Sequence, residues 1–205
     1  MNALQKHILR IGLMLALFAI GATSLVVLTE QLTHDKIIAN ERQALLNAIN
    51  AVLAKHRYDN DILSDIIRLE ANEQLATSQA TTAYRARKNN QPVAVIFTVI
   101  APDGYSGKIK LLIGIDYNGQ ITGTRVIKQR ETPGLGDKID ERKTDWILQF
   151  KGLSLTQPER TDWSVKKDGG VFDQFTGATI TPRAVVKAIK QALLYFEQHK
   201  QHLFE

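Results

Sequence analysis

The stretch KIKLLIGIDYNGQITGTRVIK, residues 108–128, decides the fold of this chain. It holds two runs of β-forming residues on either side of Asn118-Gly119, a dipeptide typical of tight hairpin turns. A third β-rich run precedes the hairpin and is separated from it by a turn at Pro102-Asp103-Gly104. The three runs predict an antiparallel meander with strands at residues 93–100, 108–116 and 121–128.

Helical periodicity appears on both sides of this meander. Residues 33–53 and 183–199 carry apolar side chains at helical spacing, and Thr181-Pro182 before the second run suits an N-cap and a first helical position. Residues 58–79 are expected to be a connector or a short helix, and residues 163–166 a further strand. The pattern predicts an α+β domain, with helices packed on an antiparallel sheet.

The N-terminus carries a long apolar run. Lys6, His7 and Arg10 precede residues 11–28, which are uncharged and long enough to cross a bilayer as a helix. The positive-inside rule places the N-terminus in the cytoplasm and the chain after about residue 30 outside. A cleaved signal peptide is the alternative, but the run continues beyond the small residues at 21–24 and lacks a clear Ala-x-Ala site. We therefore expect a single transmembrane anchor.

Composition excludes several kinds of chemistry. The 205 residues contain no cysteine, which excludes disulfides, thiolate catalysis, iron–sulfur ligation and zinc–thiolate sites within this chain. The net charge of +5 is spread along the sequence without a basic stripe interleaved with aromatics, which argues against nucleic-acid binding. His199 and His202 lack a third ligand nearby, so no metal site is expected. Redox chemistry would require a bound organic cofactor.

The candidate attachment site is the stretch DQFTGATITP, residues 173–182. The free backbone N–H groups at the start of the following helix, together with its dipole, favour an anion beside Thr179 or Thr181. Gly177 and Ala178 leave room for a large ligand, and the Thr179 hydroxyl can be esterified. Taken alone, the stretch is better explained as a turn followed by a helix cap, because short motifs of this kind recur often.

A second motif, a loop that contains one proline and two glycines, follows the hairpin directly. Residues 129–137 read QRETPGLGD, in which Glu131 supplies an acceptor, Thr132 a hydroxyl and Gly134 to Gly136 an accessible backbone. The alternative for this loop is an ordinary strand-exit turn, with Pro133 fixing φ.

The two motifs together resemble the FMN-binding domain shared by the G subunit of the Rnf complex and the C subunit of the sodium-pumping NADH:quinone reductase. The chain length favours the former. The resemblance implies FMN attached by a phosphoester to Thr179, with Thr176 at a position where many members have serine. It implies a cofactor site at Thr176, Gly177, Ala178, Thr179, Thr181, Glu131, Thr132, Gly134, Leu135 and Gly136.

The resemblance also implies a role and partners. The protein would be an electron-carrier subunit, not catalytic alone, in a complex that couples ferredoxin and NAD redox chemistry to ion translocation. Its partners would be the other membrane, iron–sulfur and flavin subunits, and a flavin transferase would attach the FMN. The alternatives are the corresponding quinone-reductase subunit and a periplasmic adaptor without covalent flavin.

The expected location is the bacterial inner membrane. We expect a cytoplasmic N-terminus and membrane anchor over residues 1–30, a helical connector over residues 31–90 and a periplasmic FMN-binding domain over residues 91–205.

Overall fold

A computed structural model describes residues 2–205, which fall into two compact units divided after Leu45. Five short 3₁₀ helices connect the longer elements. The helices and strands are α1 (Ala3–Val52), β1 (Ile66–Leu69), β2 (Thr81–Lys88), β3 (Gln91–Ala101), β4 (Ile109–Asp116), β5 (Ile121–Lys128) and α2 (Ile180–Phe204).

The first unit consists of helix. Within residues 2–205, α1 is the one helix that is long and apolar enough to cross a bilayer; its most apolar window has a mean hydropathy of 2.5 and no buried residue. The apolar run at 11–28 and the helix predicted at 33–53 belong to this one helix, because no break interrupts it. The predicted membrane anchor is thus present as a continuous helix.

The second unit is built on one antiparallel sheet with the strand order β1-β2-β3-β4-β5. The three predicted strands are confirmed as β3, β4 and β5, and Gly119 takes a φ of +86° in the turn between the last two. The strands β1 and β2 were not predicted. β1 lies inside residues 58–79, which we expected to form a connector or a short helix. The predicted α+β class is confirmed.

The sheet is covered on both faces. Phe97, Leu111 and Ile113 are fully buried in the main core, together with Ile189 and other apolar residues of α2. Side chains alternate along a strand, so Ile96, Leu112 and Gly114 face the other way. The C-terminal end of α1 lies on that second face, with Val52 against Gly114 and Gly123. The sheet therefore forms the middle layer of three.

The contact between α1 and the sheet depends on Gly123. A Cβ at this position would lie 2.7 Å from the carbonyl oxygen of Val52 and 2.8 Å from its Cα. Backbone atoms cannot move aside as a flexible side chain can, so we expect Gly123→Ala to destabilise the second unit by about 1–3 kcal/mol. Thermal unfolding of the full-length protein measures this, and Gly12→Ala, where nothing lies within 4 Å, is the matched control.

The strand predicted at residues 163–166 is wrong. Val165 forms only an isolated bridge with Phe172, and short 3₁₀ helices lie on either side at Arg160–Asp162 and Lys166–Asp168. The ring of Trp163 instead lies 5.0 Å from that of Phe172, measured between centroids, in a cluster with Phe150. Two backbone hydrogen bonds with Phe172 and the packing of aromatic rings hold this segment, without the continuous hydrogen-bond ladder of a strand.

Candidate functional site

The two motifs found in the sequence meet around one cavity of about 300 Å³. The cavity lies where the turn before β4, the loop after β5 and the start of α2 come together. Its volume falls at the lower end of the range for small-molecule sites. It is lined by Tyr105, Glu131, Thr132, Leu135, Gly136, Gly177, Ala178, Thr179, Ile180 and Thr181.

A tight turn presents Thr179 to the cavity. The N–H of Ala178 donates to the carbonyl of Phe175 at 3.0 Å, and Gly177 has a φ of +78°, as the third residue of a type II turn requires. Thr179 follows as the residue that precedes α2, and no side chain caps the helix there. Thr179 is half-buried, and its hydroxyl forms no hydrogen bond within residues 2–205. It is therefore available for chemistry.

The predicted role of Thr181 as the helix cap is wrong. The helix α2 begins at Ile180, so Thr181 lies within its first turn, and it is fully buried. Its hydroxyl donates a short hydrogen bond to Oε2 of Glu131, 50 residues earlier in the chain. The buried carboxylate is a stronger acceptor than the neutral groups near the hydroxyl, and this explains why the side chain turns away from the helix end.

Glu131 joins three segments of the site. Its side chain is 4% exposed, and its second carboxylate oxygen, Oε1, accepts from the N–H of Ser106 at 3.0 Å. One carboxylate thus connects the turn that carries Tyr105, the loop after β5 and the first turn of α2. Both oxygens are engaged by the protein, which makes Glu131 a brace for the cavity wall.

Glycine is needed at positions 134 and 136 of the second motif for two different structural reasons. A Cβ at Gly136 would lie 2.7 Å from Oγ of Thr181 and 2.8 Å from Oε2 of Glu131, so only glycine leaves room for their hydrogen bond. Gly134 has a φ of +77°, and its N–H donates to Oδ1 of the buried Asp137 at 2.7 Å. These interactions fix the course of the loop past the cavity.

Most of the predicted site residues are brought together. Glu131, Thr132, Leu135, Gly136, Gly177, Ala178, Thr179 and Thr181 line the cavity, whereas Thr176 and Gly134 do not. Thr176 is exposed on the turn, one residue before Gly177. Tyr105 and Ile180 also line the cavity, although neither was predicted. A tyrosine directly after the predicted Pro102-Asp103-Gly104 turn was the available signal for the first of these.

A second set of contacts holds the chain that leads into the attachment motif. The indole N–H of Trp146 donates to the carbonyl of Asp173 at 2.8 Å, and the ring lies edge-on to that of Phe175. The carboxylate of Asp173 pairs with Lys166 at 2.6 Å. Trp146 therefore positions the motif from outside the cavity, a role that its spacing in the sequence did not reveal.

The first turn of α2 is also tied to residue 168. Arg183 forms two hydrogen bonds to the carboxylate of Asp168, at 2.5 and 2.7 Å. The guanidinium lowers the pKa of Asp168 below its ordinary value, chiefly through these hydrogen bonds, and the pKa of Arg183 is raised in turn. Both groups stay charged at neutral pH. The first turn of α2 contributes Ile180 and Thr181 to the cavity lining, and the N-terminal end of a helix favours an anion.

Comparison with known proteins agrees with this arrangement. An FMN-binding domain family matches residues 104–194, and a family described as the RnfG N-terminal region matches residues 1–52. The chain is 49% identical over 203 residues to the G subunit of the ion-translocating oxidoreductase complex of Vibrio atlanticus, covering 99% of this chain and 95% of that protein.

Proteins of the same description occur in other organisms. The identity is 48% with the protein of Vibrio cholerae, over 99% of this chain and 95% of that protein. It is 44% with the protein of Shewanella piezotolerans, over 98% of this chain and 94% of that protein. This degree of similarity extends over both compact units. The chain therefore belongs to the family of G subunits of ion-translocating oxidoreductase complexes.

Proposed function

We propose that this protein is the flavoprotein G subunit of an ion-translocating oxidoreductase complex, in which it relays electrons through FMN bound to Thr179. One observation carries the proposal. Two motifs far apart in the sequence converge on one cavity at the start of α2, where the free hydroxyl of Thr179 lies at the wall. Family membership supports the cofactor and the complex.

The residues present fit a tethered FMN. The phosphate would lie beside Thr179, where the uncapped amides of α2 stabilise negative charge. The ring would lie against Leu135 and Ile180, and the backbone of Gly136 and Gly177 leaves it room. FMN would supply one- and two-electron redox chemistry, while the protein fixes the position of the ring and its surroundings.

Attachment requires a transferase and FAD as the donor. The oxygen of Thr179 forms an ester bond to the phosphorus of the FMN half, while the bond from that phosphorus to AMP breaks. AMP leaves with the electron pair of that bond, and the hydroxyl proton passes to the leaving group or to solvent. In this proposal, Thr176, Gly177 and Ala178 form the turn that exposes Thr179 to the transferase.

The membrane arrangement is part of the proposal. Residues 1–30 would provide a cytoplasmic N-terminus and a single-pass anchor in a bacterial inner membrane, and residues 31–90 would lead to a periplasmic cofactor domain at residues 91–205. The apolar helix and the basic residues before it support this orientation. A covalent bond would prevent loss of the flavin on that side of the membrane.

Peptide mass spectrometry across residues 173–183 tests the cofactor, the linkage and the residue together. The full-length protein is produced in cells that contain the transferase and is then digested. We expect the mass of this peptide to be increased by that of one FMN minus one water, and we expect fragment ions to assign the added group to Thr179. An unmodified peptide from protein made with active transferase would contradict the proposal.

Tyr105 is expected to cover the bound ring. It lines the cavity, yet 68% of it is exposed, so a planar ligand could use its free aromatic face. An aromatic contact contributes about 1 kcal/mol, so we expect Tyr105→Ala to raise the accessibility of the flavin to iodide about fivefold. Fluorescence quenching of the flavinylated protein measures this. Tyr105→Phe keeps the ring and should behave as the original protein; equal quenching in all three would exclude the contact.

A further inference from the structure

The turn that carries Thr179 is suspended between two fixed parts of the domain. On its C-terminal side α2 begins, and the apolar face of that helix is buried in the core. On its N-terminal side the ring of Phe172 is buried in an aromatic cluster. Between them, residues 173–178 contain one internal hydrogen bond, from the N–H of Ala178 to the carbonyl of Phe175. The position of Thr179 therefore depends on what holds this short stretch.

Trp146 makes the one hydrogen bond that reaches the backbone of this stretch from elsewhere in residues 2–205. Its indole N–H donates to the carbonyl of Asp173 at 2.8 Å. The carboxylate of Asp173 pairs with Lys166, but both side chains are more than half exposed, and solvent screens such pairs so that they contribute little. The indole of Trp146 is thus the main polar link to the backbone of the stretch.

The indole is itself fixed in position. Its ring lies edge-on to those of Phe150 and Phe175, with 5.3 Å between centroids in each case. The backbone N–H of Trp146 donates to the hydroxyl of Thr144 at 3.3 Å, and that hydroxyl donates to the carbonyl of Lys138 at 2.6 Å. Lys138 directly follows the second motif in the chain. Trp146 therefore connects the attachment turn to the segment that continues from the other wall of the cavity.

We propose that Trp146 is a positioning residue for the attachment of flavin, because its indole N–H holds the turn in the shape that presents the Thr179 hydroxyl to the transferase. The inference rests on the proposed function. In that reaction the Thr179 oxygen bonds to the phosphorus of the FMN half of FAD, AMP leaves with the electron pair of the broken bond, and the hydroxyl proton passes to AMP or solvent. Trp146 does not line the cavity, so it acts through the geometry of the turn.

Trp163 provides a matched comparison for a role in packing alone. Its indole N–H also donates to a backbone carbonyl, that of Ser154, at 3.1 Å, and its ring also packs against Phe150. It is 3% exposed, whereas Trp146 is half-buried. Replacing either tryptophan by phenylalanine keeps an aromatic ring and removes one N–H donor. Only the N–H of Trp146 ends on the backbone of the attachment turn, so the two variants distinguish a loss of position from a loss of stability.

Hydrogen exchange tests the structural step without any flavin. The full-length protein, made in cells without the transferase, is compared by NMR with Trp146→Phe and Trp163→Phe. We expect the amide of Ala178 to exchange about fivefold faster in Trp146→Phe, since the loss of one hydrogen bond shifts a local opening equilibrium by about that factor. In Trp163→Phe it should exchange as in the original protein. Equal exchange of Ala178 in the two variants would overturn the proposal.

Flavin transfer in vitro tests the functional step. The same three proteins are incubated with purified transferase and FAD, and covalent flavin is followed by fluorescence in denaturing gels. We expect Trp146→Phe to lower kcat/KM for transfer about fivefold, because the turn has the competent shape for a smaller fraction of the time. Trp163 is the more deeply buried residue, so Trp163→Phe should lower the melting temperature more and yet leave kcat/KM unchanged. A role in stability alone predicts the opposite order of the two transfer rates.

The outcomes separate this proposal from the proposed function. If the original protein accepts no flavin from active transferase, the proposed function is refuted, and the exchange of Ala178 still decides whether Trp146 holds the turn. If the original protein is flavinylated and both variants accept flavin as fast, the positioning role alone is refuted. An equal loss of rate in Trp146→Phe and Trp163→Phe would assign the effect to stability and refute that role too.

Discussion

Thr179→Ala is expected to abolish covalent flavin completely. Alanine has no oxygen on which the ester can form, and the neighbouring hydroxyls are poor substitutes. Thr181 is fully buried with its hydroxyl donated to Glu131, and Thr176 lies outside the cavity. The denatured full-length variant, made in cells with the transferase, should show no flavin fluorescence in a gel. Its intact mass should be lower than that of the flavinylated original protein by the mass of one FMN minus one water, apart from the mass change of the substitution itself.

Two variants of the same turn serve as controls for this result. Thr179→Ser keeps a hydroxyl at the attachment position and should retain flavin. Serine has more rotamers than threonine, so we expect the flavin to be attached more slowly. Thr176→Ala removes an exposed hydroxyl and should change the free energy of unfolding by no more than about 0.5 kcal/mol. Covalent flavin on Thr179→Ala would refute the assignment to Thr179. Loss of flavin from a folded Thr176→Ala variant would instead show that the transferase requires the Thr176 hydroxyl.

The sequence predicted the part of the fold whose pattern is local. The strands β3 to β5 contain continuous β-forming runs separated by strong turn residues, so their positions follow from neighbours in the chain. The strand β2 lacks such a run because Arg85 and Arg87 interrupt it. Both pair with Asp65, at 2.6 and 2.8 Å, across the turn that precedes β1. Pairing with β1 and β3 and ion pairs between distant residues hold that strand, and no local pattern reveals these contacts.

The candidate site shows the same difference between what local sequence patterns predict and what depends on contacts between distant residues. The resemblance of the two motifs to the FMN-binding domain predicted which two loops form the site, and eight of the ten predicted residues line the cavity. The role of Thr181 was not predictable, because its acceptor lies 50 residues away. The role of Trp146 was not predictable for a similar reason, since its hydrogen bond to the carbonyl of Asp173 spans 27 residues. Local motifs identified the cavity wall, whereas the contacts that hold the wall in place depend on the tertiary fold.

Glu131→Ala is expected to loosen the site and to destabilise the second unit. Two donors, the hydroxyl of Thr181 and the N–H of Ser106, lose their buried acceptor. Each such loss costs about 1–3 kcal/mol, so we expect roughly 2–6 kcal/mol in total. For a domain of this size the melting temperature should fall by on the order of 10 °C. Thermal unfolding of the full-length protein, followed by circular dichroism, measures this.

Glu131→Gln distinguishes the contribution of the hydrogen bonds made by Glu131 from that of its negative charge. The glutamine carbonyl can still accept from Ser106, and its amide can donate to the hydroxyl of Thr181, which then acts as the acceptor. If Glu131 acts as a brace, the glutamine variant should recover more than half of the lost stability and should be flavinylated faster than the alanine variant. If glutamine is as damaging as alanine in both measurements, the negative charge itself is required. If alanine changes neither, the carboxylate does not hold the first turn of α2 in place, and the attachment of flavin to Thr179 must depend on the turn at Gly177 alone.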